Sequence, residues 1–287
     1  MRLTVLGCRS GMPSAGQCSS SYLVESSAAR LLLDCGPGAA AALSAVARPS
    51  DLDAVIISHL HADHCYDLLP VGKALLSVRS YRNFAHLVPT LPELAADEAP
   101  APPVPLYVPR GGRERLRALA ELFPVGGASL LDQTFDVAFD VREYDAGASF
   151  AVGDTSVELH GLRHVAPNCG TRLDSPTGSL AYTGDTGMTG DLVPLVRGVD
   201  LLLSEATLEL PDTTGHGHLS ATEAAAVAAE GGVGQLVLTH FATADQAWLD
   251  ARRADALRIF DGPVHVAAPR RQFAARPQVR SAADARG

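Results

Sequence analysis

Four side chains that could bind a metal occur within six positions of this sequence, namely His59, His61, Asp63 and His64. They follow the apolar run Asp53-Ala-Val-Ile-Ile57, which is typical of a buried β-strand. Because side chains on an extended backbone alternate, the imidazoles of His59 and His61 point the same way. The Asp63-His64 pair, on the turn that follows, can face a second position close by. The cluster predicts a metal site in the loop after this strand.

Three further polar side chains stand at the ends of apolar runs much later in the chain, namely His164, Asp185 and His240. A single residue of this kind is more often a satisfied structural group. Together they indicate a site, because catalytic residues collect where loops converge at strand ends. Asp34 also ends an apolar run, where an unpaired carboxylate would be costly. We interpret Asp34 as a residue that holds a neighbouring loop rather than as a metal ligand.

The length and composition of the chain limit the class of protein to which it can belong. Its 287 residues suffice to bury the core of one large domain or two small ones. No apolar run approaches the roughly 18–20 residues that span a bilayer, and the N-terminus enters a strand pattern without a signal peptide. The five cysteines are odd in number and lack Cys-X-X-Cys spacing, which favours a reducing compartment. We therefore expect a cytoplasmic protein.

The formal charge of the chain is −9. Because affinity for nucleic acids depends largely on Lys and Arg side chains that neutralise phosphates, this charge disfavours binding to a long polyanion. It does not exclude a small phosphorylated ligand, since metal ions can supply positive charge locally. We expect neither a long nucleic acid nor a membrane as partner.

Alternating strand and helix patterns predict one domain over residues 1–268, with two packed sheets covered by helices. Three short strands are predicted between residues 2 and 34. The period-two alternation of residues 135–160 predicts a meander of antiparallel strands. Strands and helices then alternate over residues 180–267.

Several segments outside the strands also carry predictions. Ser220-Ala-Thr-Glu223 has the spacing of a capping box at the start of a helix. The Pro-rich stretch 89–105 is predicted to be a connection, within a region, 66–110, that could serve as a lid or as an interface. Residues 269–287 lack a periodic pattern of apolar residues and are predicted to be a flexible tail.

The pattern His59-X-His-X-Asp-His64, with His164, Thr-Gly-Asp185-Thr and Leu-Thr-His240-Phe after it, resembles the metallo-β-lactamase superfamily. The resemblance implies an α/β fold of four layers, αββα, in which two mixed sheets lie between helices and two metals bind at one sheet edge. In the implied ligand set, metal one takes His59, His61 and His164, metal two takes Asp63, His64 and His240, and Asp185 bridges the pair.

The residue types agree with that implied site. Imidazole and carboxylate ligands without thiolate suit two divalent ions, with Zn²⁺ favoured and Mn²⁺ or Fe as alternatives. Two metals roughly 3.5–4 Å apart can hold a bridging hydroxide and clamp the oxygens of a displacement reaction. Cys65 follows His64 directly, and we predict that it is a small buried residue rather than a ligand.

Two further motifs select a branch of the superfamily. Glu205 lies in Ser-Glu-Ala-Thr, and His218 follows it by thirteen residues in Gly-His-Leu-Ser. They resemble motifs of the phosphodiesterase branch, which includes the tRNA 3′-endonuclease RNase Z. In that branch the histidine lies near the leaving group and the glutamate orients it, which suits protonation of a departing alkoxide. The predicted catalytic residues are Asp63, Glu205 and His218; the alternative for His218 is an incidental residue in a helix-capping loop, and His216 has no assigned role.

RNase Z carries a long arm that grips tRNA, inserted in many members between the positions that match His164 and Asp185. Only twenty residues separate these positions here, and they contain no basic, Gly-rich segment. tRNA processing is therefore the less favoured prediction. The chain resembles compact actinobacterial-type cyclic-nucleotide phosphodiesterases, notably in residues 176–187 and 260–265. The resemblance to RNase Z relatives also implies a homodimer.

These observations predict a dinuclear-metal phosphodiesterase that acts on a small substrate such as a 3′,5′-cyclic nucleotide, with hydroxide held by the metals as the nucleophile. The alternative within hydrolases is a carboxylic ester, lactone or thioester hydrolase of a specialised pathway. From other classes, the alternatives are an iron-dependent oxidoreductase and a binding scaffold with a vestigial site, and the complete ligand set disfavours the second.

Overall fold

Two β-sheets lie face to face in the computed structural model, which describes residues 1–11, 13–81, 102–127 and 129–276. In chain order, the strands are β1 (Arg2–Arg9), β2 (Cys18–Ser19), β3 (Ser21–Glu25), β4 (Arg30–Leu33), β5 (Ala54–Ile56), β6 (Val104–Pro109), β7 (Phe139–Tyr144), β8 (Ser149–Val152), β9 (Thr155–Leu162), β10 (Asn168–Ser175), β11 (Gly178–Tyr182), β12 (Leu201–Glu205), β13 (Leu236–Thr239), β14 (Val264–Val266) and β15 (Gln272–Ala274).

Helices connect these strands and cover the sheets. They are α1 (Ala39–Ser44), α2 (Ala62–Cys65), α3 (Leu68–Tyr81), α4 (Gly112–Glu121), α5 (Ser129–Asp132), α6 (Leu192–Val196), α7 (Ala221–Glu230) and α8 (Gln246–Leu257). The side chain of Ser220 accepts a hydrogen bond from the backbone N–H of Glu223 at the start of α7, which confirms the predicted capping box. Among the described residues, no helix is long and apolar enough to cross a membrane.

The strand order of the first sheet is β15-β1-β3-β4-β5-β6-β7, with β2 paired to β1, and that of the second sheet is β14-β13-β12-β11-β10-β9-β8. Both sheets are mixed. Strands β4, β5 and β6 run parallel in the first sheet, as do β11, β12 and β13 in the second. This arrangement confirms the predicted αββα sandwich.

Strand β4 illustrates why its sequence is a continuous apolar run. Leu31 and Leu33 belong to the core between the sheets, whereas Leu32 belongs to the core under the helices of the first sheet. All three are at most 1% exposed. A strand that is buried on both faces has no polar face to alternate with. The polar residues that follow such strands must therefore lie at the sheet edge.

The predicted antiparallel meander over residues 135–160 is wrong in its first part. Thr134–Ala138 form a π-helical turn, and β7 then pairs in parallel with β6 in the first sheet. Within residues 135–160, β8 and the beginning of β9 form the antiparallel pair, and they belong to the second sheet. Period-two alternation reports that one face of a strand is buried, but it does not specify the partner strand.

The predicted flexible tail over residues 269–287 is wrong at its beginning. β15 pairs antiparallel with β1, and the N–H of Ala275 donates to the carbonyl of Met1 at 3.0 Å. Phe273 is only 7% exposed and Ala275 is fully buried, so buried side chains and backbone hydrogen bonds together hold this edge strand. Residues 277–287 lie outside the described residues, as do residues 82–101, which include most of the Pro-rich stretch and the middle of the predicted lid or interface.

Candidate metal centre

The loops that follow strands of like direction in both sheets bring the predicted ligands together; β9 has antiparallel neighbours but points the same way as β11. In the first sheet, the loop after β5 carries His59 and His61, and α2 carries Asp63 and His64. Because parallel strands point the same way, the loops that follow them emerge at one edge of each sheet. In the second sheet, the residues that follow β9, β11 and β13 are His164, Asp185 and His240.

Cluster one consists of His59, His61, His164 and Asp185. Their potential ligand atoms all lie within 4.8 Å of one another. The Nδ1 of His61 is 2.9 Å from the Nε2 of His59 and 3.3 Å from the Nε2 of His164. Asp185 faces these rings with its Oδ2, at 3.7 Å from the Nε2 of His59. Three imidazoles and one carboxylate are a donor set that zinc accepts.

Cluster two consists of Asp63, His64, His240 and, again, Asp185. The Nε2 atoms of His64 and His240 are 3.3 Å apart. The Oδ2 of Asp63 lies 3.5 Å from the Nε2 of His64 and 3.3 Å from that of His240. The Oδ1 of Asp185 lies 3.3 Å from each of the same two nitrogens.

Asp185 therefore directs one carboxylate oxygen into each cluster, which is the geometry of a bridging ligand. Its side chain is buried, and its Oδ1 has no hydrogen-bond partner. A buried carboxylate oxygen without a partner is costly unless a cation is bound to it. Although burial opposes ionisation, the charges of His240 and His64 hold the pKa of Asp185 well below its ordinary value. The residues present fit two divalent cations.

Hydrogen bonds to the other ring nitrogen orient three of the histidines. The Nδ1 of His164 donates to the carbonyl of Gly217 at 2.8 Å, and the Nδ1 of His240 is 2.8 Å from the Oγ1 of Thr207. The Nδ1 of His64 is 2.6 Å from the Oδ2 of Asp34. Each of these contacts leaves Nε2 to face a cluster, as is usual for histidines that bind metals.

Asp34 is a buried residue that connects the two sheets at this edge. Its carboxylate accepts hydrogen bonds from the backbone N–H of Ser58 at 2.7 Å, from the Ser58 hydroxyl at 2.8 Å and from the Tyr182 hydroxyl at 2.6 Å. Its backbone φ is +55°, a conformation that Asp tolerates better than most residues. These contacts confirm that Asp34 holds a neighbouring loop. His240, with a φ of +58°, shares this rare conformation.

The protonation states of the three histidines of cluster one suit metal binding. Burial, with the neighbouring histidines, lowers the pKa of His59 well below its ordinary value. Burial likewise lowers the pKa of His61 and of His164. Neutral imidazole is the form that binds a metal. Burial raises the pKa of Cys65 to about 12, and its thiol donates to the carbonyl of His61 at 3.3 Å. Cys65 is thus a neutral thiol that belongs to neither cluster, and it is half-buried rather than buried.

Glu205 and His218 form an ion pair beside cluster two. The Nδ1 of His218 lies 3.0 Å and 3.1 Å from the two carboxylate oxygens of Glu205, which is fully buried at the end of β12. Burial opposes the charged imidazole, but the hydrogen bond and charge of Glu205 raise the pKa of His218 above its ordinary value. Together with His240, this pair forms a third group of close ligand-type atoms. The structure therefore brings together both residues that the motifs predicted.

Two contributors to the site were not identified from the sequence. The hydroxyl of Thr207 donates to the Oε2 of Glu205 at 2.7 Å and also contacts the Nδ1 of His240, so it connects the ion pair to cluster two. Its place in Ser-Glu-Ala-Thr could have identified it. His216 had no assigned role, and its ring centroid lies 5.5 Å from that of His164 and 5.0 Å from that of His218.

Comparisons with known proteins agree with this geometry. Residues 29–241 match the family model described as Beta-lactamase superfamily domain. An uncharacterized protein of Mycobacterium tuberculosis, Rv1339, is 35% identical over 92% of this chain and 89% of its own length. Ribonuclease Z of Mycobacterium bovis is 31% identical, covering 93% of this chain and 95% of its own.

A solved structure shows the same similarity in three dimensions. The metallo-β-lactamase fold protein YhfI from Bacillus subtilis superposes with a TM-score of 0.74 at 25% identity, covering 95% of this chain and 98% of that chain. The family match, the two-sheet sandwich and the His/Asp clusters at its edge all agree. The chain belongs to the β-lactamase superfamily and has the metallo-β-lactamase fold.

Proposed function

We propose that this protein is a dinuclear-metal phosphodiesterase that hydrolyses a small substrate, such as a 3′,5′-cyclic nucleotide. Cluster one, with His59, His61 and His164, would hold one divalent ion, and cluster two, with Asp63, His64 and His240, would hold another, with Asp185 shared by both. Zn²⁺ is the favoured ion, with Mn²⁺ or Fe as alternatives, because imidazole and carboxylate ligands do not discriminate sharply among them. When bound, two such ions offset the charge on phosphoryl oxygens and acidify water at neutral pH.

The observation that carries the proposal is the contact between His218 and Glu205. Since Nδ1 is engaged by the carboxylate, the protonated Nε2 is the atom free to donate to a departing oxygen. An alkoxide leaving group of a phosphodiester needs such an acid. Thr207 and the backbone N–H of Thr186, which donates to Glu205 at 2.6 Å, fix the carboxylate in place. Asp63, a member of cluster two, accepts a hydrogen bond at 2.8 Å from the backbone N–H of Gly11, which holds its carboxylate in place.

The hairpin between His164 and Asp185 supports a small substrate. β10 and β11 are joined by only Pro176 and Thr177, so this segment, which is fully described, contains no arm of the kind attributed to RNase Z. The net charge of −9 also disfavours a long nucleic acid. A relative is named ribonuclease Z, which makes phosphodiester chemistry a natural choice for this site. Hydrolysis of a small phosphodiester satisfies all three observations.

A screen of substrates tests the proposal. Purified protein, with its metal content measured, would be assayed on bis(p-nitrophenyl) phosphate, cyclic nucleotides, lactones and thioesters. The Asp185→Ala protein, prepared identically, measures contaminating activity. We expect the phosphodiesters to be hydrolysed with the highest kcat/KM. Preferential hydrolysis of a lactone or thioester would overturn the proposal in favour of a carbonyl hydrolase. Iron in the protein as purified, together with consumption of oxygen, would favour an oxidoreductase.

A homodimer and a cytoplasmic location complete the proposal. The homodimer rests on the resemblance to RNase Z relatives, and the location rests on the cysteine pattern. Light scattering coupled to size-exclusion chromatography would measure the mass in solution against the 29.9 kDa of one chain. A monomer at micromolar concentration would contradict the first part. Fractionation of the cells that produce the protein would test the second.

A further inference from the structure

A cavity of about 340 Å³ opens beside the ion pair and is not used by any step described above. Its walls come from His218 and from the loop over residues 208–216. Pockets of about 300 Å³ and above are the size class that binds small organic ligands. The candidate proton donor thus lies in the wall of a cavity that a molecule could enter.

The loop around this cavity is held in a defined shape. One carboxylate oxygen of Asp212 accepts from the N–H of Gly217 at 2.8 Å, and the other accepts from the N–H of Thr214 at 2.7 Å. The Thr214 hydroxyl in turn accepts from the N–H of His216 at 3.2 Å. At the start of the loop, the N–H of Leu208 donates to the carbonyl of Leu219 at 3.0 Å. The backbone at His216 is therefore held in place, and its exposed ring lies 5.0 Å from that of His218.

The chemistry of the walls selects the kind of group that fits. Leu208, Pro211 and the ring of His216 offer apolar or flat surfaces, and none of the lining residues is Lys or Arg. Asp212 adds a negative charge, because hydrogen bonds from Thr214 and Gly217 hold the pKa of its carboxyl below the ordinary range. No Lys or Arg in the lining offsets this charge, and the charge of His218 is paired with Glu205, so a second phosphate or another anion finds no free cation among the lining residues. An uncharged group with a planar ring fits this wall.

We propose that this cavity is the subsite for the moiety that bears the departing oxygen, that this moiety carries an uncharged planar ring, and that His216 is the residue that selects it. The inference rests on the proposed phosphodiesterase function and extends it. A proton donor must lie beside the departing oxygen, so the moiety attached to that oxygen extends into the cavity that His218 borders. The ring of His216, 5.0 Å from that of His218, then lies against this moiety.

Two esters with one leaving group and different remaining groups test the assignment. Methyl p-nitrophenyl phosphate and thymidine 5′-(p-nitrophenyl phosphate) both release p-nitrophenol. We expect His216→Ala to lower kcat/KM about five- to tenfold on both esters equally, from the usual strength of ring contacts. His216→Phe, which keeps a flat ring, should retain most of the activity. A loss confined to the thymidine ester would assign the cavity to the group that stays on phosphorus and would overturn the proposal.

The charge of the leaving group is a separate test. Methyl 3-carboxy-4-nitrophenyl phosphate carries a carboxylate on the departing ring, and we expect a lower kcat/KM than for the uncharged p-nitrophenyl ester. Equal rates would contradict the assignment of an uncharged group.

The control for these assays is His160→Ala. The Nε2 of His160 lies 3.6 Å from a carboxylate oxygen of Glu158 on β9, outside the site, and its loss should leave all rates unchanged. If the wild type hydrolyses the esters but His216→Ala has no effect, this inference alone fails. If the wild type hydrolyses none of them, the proposed function fails. Thermal melting of each variant confirms that it is folded.

Discussion

The two clusters share Asp185 but differ in how their other side chains are held. In cluster two, His64 is fully buried against Asp34, and the Nδ1 of His240 contacts the hydroxyl of Thr207. In cluster one, His164 is held by the carbonyl of Gly217 and His59 lies 3.1 Å from the Ser58 hydroxyl, but His61 is half-buried, and within the described ranges its Nε2 has no partner. Cluster two is therefore the more preorganised of the two, whereas in cluster one the position of His61 depends on the metal. The two metals should differ in affinity.

The most disruptive change is the loss of the shared residue. Asp185→Ala removes the bridging carboxylate, so both clusters lose a ligand. We expect metal content to fall from about two ions per chain to less than one, and activity to fall to the assay background. Mass spectrometry of metals and the phosphodiester assay measure the two effects. Asp191→Ala, a change at an exposed aspartate before α6, is the control, and retention of two metals by Asp185→Ala would contradict the bridging role.

Removal of the proton donor should separate turnover from metal binding. His218→Ala leaves both clusters intact, so the metal content should equal that of the wild type. We expect kcat to fall roughly 10²- to 10⁴-fold, the usual contribution of a general acid. The loss should be smaller for esters whose leaving groups need no protonation, such as p-nitrophenol. Full activity on an alkyl phosphodiester would show that the leaving-group assignment is wrong.

Asp34→Asn tests whether cluster two owes its order to the protein. Asn also tolerates a positive φ, so the backbone conformation is retained. The negative charge of residue 34 beside His64 is removed. We expect the affinity of cluster two for its metal to fall about 10- to 100-fold, the usual effect of such supporting residues. Calorimetric titration of metal-free protein measures both sites. An equal fall at cluster one would remove the proposed distinction.

Release of the metals by a chelator should follow the same order. We expect two phases, with the metal of cluster one leaving first because His61 is the less constrained ligand. Cobalt substitution makes the loss visible in the absorption spectrum. His61→Ala should abolish the fast phase and Asp63→Ala the slow phase. A single phase that both variants abolish would mean that the clusters act as one unit.

The pH dependence should show the smallest effect. Glu205 raises the pKa of His218, so the protonated acid persists above the ordinary value of 6.5 and is lost as the pH rises through the raised pKa. The decrease of kcat at alkaline pH, its alkaline limb, therefore reports the deprotonation of His218. In Glu205→Gln the negative charge is gone, the pKa of His218 falls, and this limb moves to lower pH. An unchanged limb would assign it to a different group.

Much of the site could be predicted from the sequence because its ligands follow recognisable strand patterns. His-X-His on an extended segment and single polar residues at the ends of apolar runs mark positions at a sheet edge. Asp34 could be interpreted for the same reason, since a carboxylate after a buried run needs partners. Its actual partners, Ser58, His64 and Tyr182, could not be predicted, because their contacts depend on how the two sheets are stacked.

The misassigned elements show the limit of strand patterns. β7 alternates like an antiparallel strand yet pairs in parallel with β6, and β15 has a single buried phenylalanine yet completes the edge of the first sheet. Local periodicity records burial, whereas pairing depends on which strand edge is available after the chain has crossed the sandwich.

The sequence by itself determined the chemistry of the site: imidazoles and carboxylates without a thiolate ligand, and a Glu-His pair beside them. Only the tertiary structure decided that the two carboxylate oxygens of Asp185 face different clusters, that Thr207 joins the Glu205–His218 pair to His240, and that His216 borders a cavity next to the proton donor. The type of each ligand can be identified from a single residue of the sequence. Orientation arises from contacts between loops of two different sheets, and these contacts exist only after the sheets have packed.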